Sequence, residues 1–288
     1  MSYITKVIDG KAMAKEVFQR IAMRSCVDVP RLSVRQRQPG LAILQIGERA
    51  DAQCFESEKA RAARICKMQY EFHQFPPKAT LAEVKEKLAY LNTSAHIDGI
   101  VVQLPVPKHL PVCELLETIA LEKDVDSMHP SNVGKLWMSG DGPYYQPCTA
   151  VAVERMVLST NIALEGAHVV IIGAGRITGC PIARLFLRRN ATVTICHVKT
   201  VDIEKVCYGA DVLISAVGHP GLVQSSWVKP GAVVIDVGIT RCQEGIRGDV
   251  DWNGIQGKAA YASPVPGGVG PMTVAALMEN TYRSYLRE

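Results

Sequence analysis

The chain has 288 residues, 48% of them hydrophobic and 21% charged, with a formal net charge of +4. That composition suits a globular protein of one large or two medium domains. The charge is too slight and too evenly spread for a nucleic-acid stripe, the nine cysteines form no Cys-x-x-Cys pair or zinc spacing, and no stretch approaches the roughly 20 apolar residues of a membrane helix. No nucleic acid, membrane or metal is therefore expected as a partner. An odd number of cysteines among mostly apolar neighbours reads as reduced thiols of a cytoplasmic protein, and the first residues lack the apolar core of a signal peptide.

In chain order, residues 4–9 are a short apolar start ending in a turn at Ile8-Asp9-Gly10-Lys11. Met13, Val17, Ile21 and Met23 then recur at helical spacing over 11–24. After the Pro39-Gly40 turn, 41–46 is an apolar run of strand length. Residues 51–67 place Ala52, Phe55, Lys59, Ala62, Ala63 and Cys66 near one helix face. Residues 69–74 alternate as a strand does, and 80–91 opens with Thr80 and Glu83 in capping-box spacing. A strand over 99–104 ends at Pro105 and Pro107, a helix follows over 112–120, and 121–149 reads as irregular. Beyond it the pattern predicts helix 149–159, strand 168–172, helix 180–189, strand 192–196, helix 202–208 and strands 211–216 and 232–237. Loops then run to 271, and a final helix runs from about 272 to 287.

Alternating strands and helices imply parallel sheets with crossover helices. The fold class expected is α/β with two domains and a cleft between them. Residues 1–148 with the C-terminal helix 272–288 form one domain. Residues 149–271 form the second, a Rossmann-like parallel sheet.

Five stretches point to chemistry. Val169-Val170-Ile171-Ile172 runs into Gly173-Ala174-Gly175-Arg176-Ile177-Thr178-Gly179 and then a helical run. Strand, glycine turn and helix start is the signature of a phosphate-binding unit, because glycines let the backbone approach a phosphate and the helix N-terminus offers bare N–H groups; a plain structural turn reads the same way. Lys59 follows Phe55 by four residues, so both project from one helix face, where desolvation would suit the lysine to proton transfer. Among Glu56, Glu58, Arg61 and Arg64 it also reads as a surface lysine. Gln103 stands at the carboxyl end of an apolar strand, where sites form in open α/β sheets, or it bonds a neighbouring loop. Glu122 to Asp126 is a charged loop whose carboxylate could take two hydrogen bonds from an amidine-like edge such as a pterin, or a solvated turn. Ser263 to Thr273 holds three prolines and three glycines within ten residues, a shaped loop able to hug a flat ligand, with Thr273 placed to cap the last helix.

At these residues the chain resembles the bifunctional methylenetetrahydrofolate dehydrogenase/methenyltetrahydrofolate cyclohydrolase family over essentially its full length. The matching motifs are Ile8-Asp9-Gly10-Lys11, Gly99-Ile100-Val101-Val102-Gln103-Leu104-Pro105, Lys123-Asp124-Val125-Asp126, Pro147-Cys148-Thr149, Asp236-Val237-Gly238, Gly248-Asp249-Val250 and Ser263 through Thr273. The resemblance implies a cytoplasmic homodimer acting on folate in the cleft. Hydride passes from methylenetetrahydrofolate to NADP, and the methenyl product is hydrolysed to 10-formyltetrahydrofolate. It makes Lys59 the catalytic lysine, Gln103 its hydrogen-bonding partner and Asp126 the carboxylate that anchors the pterin. Phe55, Val102, Leu104 and the loop Pro266, Gly267, Gly268, Val269, Gly270 are implied to line the folate. Gly173, Ala174, Gly175, Arg176, Ile177, His197 and Ile239 are implied to line the dinucleotide.

The chain departs from the family pattern at four places. Phe55 replaces a tyrosine, keeping the π-face and losing the hydroxyl. Ala52 replaces a serine. Ala174 replaces the arginine that pairs with a ribose 2′-phosphate, and Val198 replaces a serine. Arg176 and Lys199 stand nearby as substitutes. The alternatives these changes raise are an NAD-preferring enzyme, a cyclohydrolase without dehydrogenase activity, and a catalytically feeble folate-binding paralogue. Against NAD, no Asp or Glu ends the 192–196 strand to hold the ribose hydroxyls.

Overall fold

The computed structural model describes residues 4–31, 37–47, 50–138, 145–243 and 245–286, side chains of 28–31 and 50–55 excepted. In chain order the elements begin with β1 (Lys6–Val7), α1 (Gly10–Arg31), β2 (Gly40–Ile46), α2 (Ala50–Ile65), β3 (Gln69–Phe75), α3 (Leu81–Thr93), β4 (Gly99–Val102) and α4 (Val112–Glu117). Next come α5 (Pro130–Met138), α6 (Cys148–Leu158), β5 (His168–Ile172), α7 (Gly179–Leu187), β6 (Thr192–Cys196), α8 (Ile203–Tyr208) and β7 (Val212–Ser215). The chain finishes with β8 (Val233–Asp236), β9 (Thr240–Cys242), β10 (Gly245–Arg247), β11 (Tyr261–Ala262) and α9 (Val269–Leu286). Two compact units result: residues 15–148 with 274–288, and residues 1–14 with 149–273.

The 15–148 unit is built on a three-stranded parallel sheet in the order β3-β2-β4. Every residue of β2 is buried, as expected of a central strand covered on both faces. Its core gathers Leu44, Ile46, Val84, Leu88, Leu91, Ile100, Val102 and Leu115. The capping box forms as expected: the Thr80 hydroxyl accepts from the Glu83 N–H, and the Glu83 carboxylate accepts from the Thr80 N–H at 2.7 Å. Arg37 clamps the buried Asp98 with two hydrogen bonds of 2.6 and 2.7 Å, and Asp98 also accepts the N–H of Gly40.

The other unit carries a six-stranded sheet in the order β1-β11-β8-β7-β5-β6, parallel throughout. Its core includes Val170, Ile172, Leu213, Val223, Val234, Ile255 and Ala262. From β5 the chain steps to β6 on one side and then to β7 on the other. The strand order therefore reverses between β5 and β7, which is where open α/β sheets bind ligands.

Several elements differ from the sequence expectation. The 8–11 turn is instead a helix start, with Asp9 accepting the Ala12 N–H, and α1 runs to Arg31 because its buried stripe continues past Ile21 to Ser25. The stretch 121–149 is not wholly irregular: it holds a 3₁₀ turn over Leu121–Lys123 and helix α5, opened by proline at its first position. The loops before 271 contain the antiparallel β9–β10 pair and β11, which pairs with β1 and so brings the N-terminal strand into the second sheet. The last helix starts at Val269 rather than 272, and Thr273 does not cap it: its hydroxyl donates back to the Val269 carbonyl at 3.1 Å. Among the described residues, no helix is long and apolar enough to cross a membrane.

Candidate active site

In the 15–148 unit, α2 carries Lys59 and β4 delivers Gln103 one residue beyond its end. The Gln103 N–H prolongs the sheet ladder to the Leu44 carbonyl at 2.8 Å, which fixes the backbone beneath the side chain. The Lys59 Nζ donates to Gln103 Oε1. Burial pushes the Lys59 ammonium below the ordinary lysine range, and the acidic groups at Asp126, Cys148 and Glu56 partly offset it. A lysine so placed holds or releases a proton nearer neutrality than an exposed one.

An isolated parallel bridge from Ile100 to Asp124 lays the following segment against β4. This segment is no solvated turn. Asp124 is buried and accepts from the N–H groups of Met128 (3.0 Å) and His129 (2.9 Å) and from Asn132 Nδ2 (2.8 Å). Two residues on, burial raises the Asp126 carboxyl to about 6, against hydrogen bonds from Cys148 and the attraction of Lys59. The buried Cys148 thiol lies 3.4 Å from the Val125 carbonyl, which also accepts from Asn280 Nδ2 at 2.8 Å. Asn280 bonds the Gln146 carbonyl as well, at 3.0 Å. Cys148 and Asn280 thus shore up the Asp126 segment. Neither carries a spacing signal that would have marked it, although Cys148 sits in the matching Pro147-Cys148-Thr149 motif.

The remaining folate-side expectations divide. Val102 is buried, its side chain packed into the apolar core beside the strand end that carries Gln103. Leu104 is half-buried, and the Phe55 side chain lies outside the described residues. Pro266, Gly267 and Gly268 belong to the 149–273 unit, while Val269 and Gly270 form the first turn of α9 rather than part of the loop. The Gly267 carbonyl accepts the Lys11 N–H at 3.1 Å, and a Cβ on Gly10 would fall 1.9 Å from the Gly268 carbonyl oxygen. The Ile8-Asp9-Gly10-Lys11 motif therefore exists to seat this loop.

In the same unit the glycine turn joins β5 to α7. Gly173 has φ 118°, and a Cβ there would meet the Ala216 oxygen at 2.5 Å; a Cβ on Gly179 would lie 1.7 Å from the Gly173 oxygen. Gly175 has open space at its Cβ position, and Ala174 through Ile177 are exposed. Such a bare, tightly folded turn at a helix N-terminus fits a dinucleotide pyrophosphate. At the end of β6, a turn over 197–200 is held by the His197 N–H on the Thr200 hydroxyl (2.8 Å) and the Thr200 N–H on the His197 carbonyl (2.8 Å). His197, Val198 and Lys199 are exposed there, and so is Ile239 after Gly238.

A Rossmann-type sheet with a glycine turn at its switch point, and a separate parallel sheet presenting a desolvated lysine, define a two-unit α/β enzyme of the dinucleotide-dependent class. Residues 8–126 match the tetrahydrofolate dehydrogenase/cyclohydrolase catalytic domain, and residues 147–288 match the NAD(P)-binding domain of the same enzymes. The bifunctional protein FolD of Bordetella bronchiseptica is 43% identical over 277 residues, 96% of each chain. The FolD crystal structure from Campylobacter jejuni aligns at a TM-score of 0.91 with 37% identity, covering 98% of this chain and 99% of that one. The Trypanosoma brucei enzyme complexed with NADP and an inhibitor aligns at 0.94 with 37% identity, covering 99% and 98%. The chain belongs to the tetrahydrofolate dehydrogenase/cyclohydrolase family.

Proposed function

We propose that Lys59, Gln103 and Asp126 are the working residues of a bifunctional folate enzyme. The protein is a methylenetetrahydrofolate dehydrogenase and methenyltetrahydrofolate cyclohydrolase that uses NADP. When bound, NADP supplies the acceptor for the hydride leaving the substrate methylene. The glycine turn 173–179 would hold its pyrophosphate, and Arg176 and Lys199 are the exposed cations on hand for the 2′-phosphate that Ala174 cannot reach. Asp126, ionised above pH 6, would accept two hydrogen bonds from the pterin's amidine-like edge, with the Phe55 ring stacked on the pterin face. Leu104 would border the folate.

In the hydrolytic half, the neutral Lys59 Nζ takes a proton from the water that adds to the methenyl carbon. The ammonium returns it to N5 as the carbon–N5 bond breaks, and the hydroxyl proton goes to solvent as the formyl carbonyl forms. Gln103 keeps Nζ aimed between these events. The observation that carries this reading is the Lys59–Gln103 hydrogen bond on a lysine whose ammonium is disfavoured by burial beside Asp126. Replacing Lys59 by Met should slow methenyl hydrolysis by about 10²–10⁴, the usual share of a general acid–base group, while NADP affinity stays unchanged. Hydrolysis within a few-fold of wild type would refute the assignment. A cytoplasmic homodimer is part of the same proposal; the free thiols among the described cysteines support the compartment, and sedimentation of the purified chain tests the dimer.

A further inference from the structure

The 149–273 unit contains a second pair of buried carboxylates, to which the chemistry above gives no task. Asp236 closes β8, and Asp249 follows β10; both are buried. Placing two carboxylates side by side out of water is costly unless each is fully hydrogen-bonded. Here each is. Asp236 accepts from the N–H groups of Gly238 (2.9 Å), Asp249 (3.0 Å) and Val250 (2.9 Å). Asp249 accepts from the Ser215 hydroxyl (2.9 Å), the Val217 N–H (2.9 Å) and the His219 N–H (2.8 Å). Two glycines make the room: a Cβ on Gly238 would fall 2.1 Å from Asp249 Oδ1, and one on Gly248 would fall 2.0 Å from Asp236 Oδ2.

The three donors to Asp249 are all drawn from 215–219, the end of β7 and the loop after it. That loop borders the switch point between β5 and β7. It also touches the glycine turn, since the Ala216 oxygen occupies the space a Cβ on Gly173 would need. Gly218, between the two bound N–H groups, is left-handed at φ 69°, so the loop doubles back around the carboxylate. One side chain therefore sets the shape of the wall beside which a dinucleotide would lie.

We propose that Asp249, seconded by Ser215, is a positioning residue of the dinucleotide site: it moulds the 216–219 loop into the wall that completes the NADP cradle. This rests on reading the unit as the NADP-binding one. The test uses the full-length chain, with NADP affinity measured by titration calorimetry on the enzyme without folate, and methenyl hydrolysis measured without any dinucleotide. In Asp249→Asn the amide N–H₂ must face either the Val217 N–H or the His219 N–H, donor against donor. Loss of a charge-assisted bond predicts NADP binding weaker by about tenfold or more. Ser215→Ala, which removes one donor and leaves the carboxylate, should weaken it by roughly threefold, with hydrolysis holding within about twofold in both variants. If Asp249→Asn does not fold, Ser215→Ala decides. NADP affinity within about twofold of wild type in the folded variant, or binding and hydrolysis falling by one common factor, overturns the proposal. Failure of the unsubstituted protein to bind NADP would overturn the reading of the unit instead.

Discussion

Asp126 lends itself to a prediction in which function opposes stability. Its carboxyl is raised from an ordinary 3.8 to about 6, chiefly by burial. Because the folded value lies above the unfolded one, folding favours the protonated form. The contribution of this group is whole below about pH 4 and is lost as pH rises through 6. At about 1.4 kcal/mol per tenfold in the proton equilibrium, the ionised carboxylate costs the folded protein up to about 3 kcal/mol above pH 7. Its edge stays partly accessible, so that figure is an upper bound. An Asp126→Asn amide keeps the shape and never ionises. It also takes from the Lys59 ammonium its principal attractive partner, which returns part of the gain. The net expectation is a variant more stable than wild type by about 1–2 kcal/mol at pH 8, with roughly half of the ionisation cost already present at pH 5. Urea melts of both proteins at pH 5 and pH 8 read it as a difference in midpoint at unchanged slope, and folate affinity should fall in the same variant. An Asn variant less stable than wild type at pH 8, or an advantage equal at the two pH values, would refute the reasoning.

Two further outcomes follow from close contacts. Gly179→Ala puts a Cβ where the Gly173 oxygen stands, 1.7 Å away, so the turn must open by on the order of 1.5 Å, a misplacement that costs roughly 100-fold in dehydrogenase rate; hydrolysis without dinucleotide should persist, and equal loss of both activities would contradict it. Asp98→Asn strands the Arg37 guanidinium that Asp98 now holds with two hydrogen bonds. Since Arg37 keeps an accessible edge, the expected destabilisation is about 2–3 kcal/mol, at or below the usual loss for a broken buried pair, read as a lower urea midpoint.

How much was legible depended on the range of the interaction. The β5–turn–α7 unit could be read because four consecutive apolar residues, a glycine pattern and a helical run are all local. Lys59 and Gln103 could be picked out by position on a helix face and at a strand end, yet periodicity alone left Lys59 among surface charges. Only its contact with a residue 44 positions away decides between the two readings. The 121–149 stretch hid α5, because a short helix opened by proline resembles a loop. Asp249 was visible only as part of a motif. Its work on Val217 and His219 depends on a return of the chain some 30 residues later, which no local pattern encodes. The direction of the Val102 side chain was not legible, because an apolar residue beside a strand end can face either way, and the pleat turns it into the core.

The pairing of β1 with β11 has a consequence for synthesis. The Thr5 hydroxyl bonds the Ala259 carbonyl at 2.8 Å across 254 positions of chain, and Gly10 is sealed against Gly268. β1 thus waits for a partner strand made some 250 residues after it. Until residues near 260 are made, the edge of β8 stands open and the segment around Gly10 has no loop to support. The nucleotide-binding unit therefore has to close by pairing β1 with the distant β11, a slow, non-local step. A translation product stopped before residue 260 would expose unpaired strand where the finished protein has a continuous sheet.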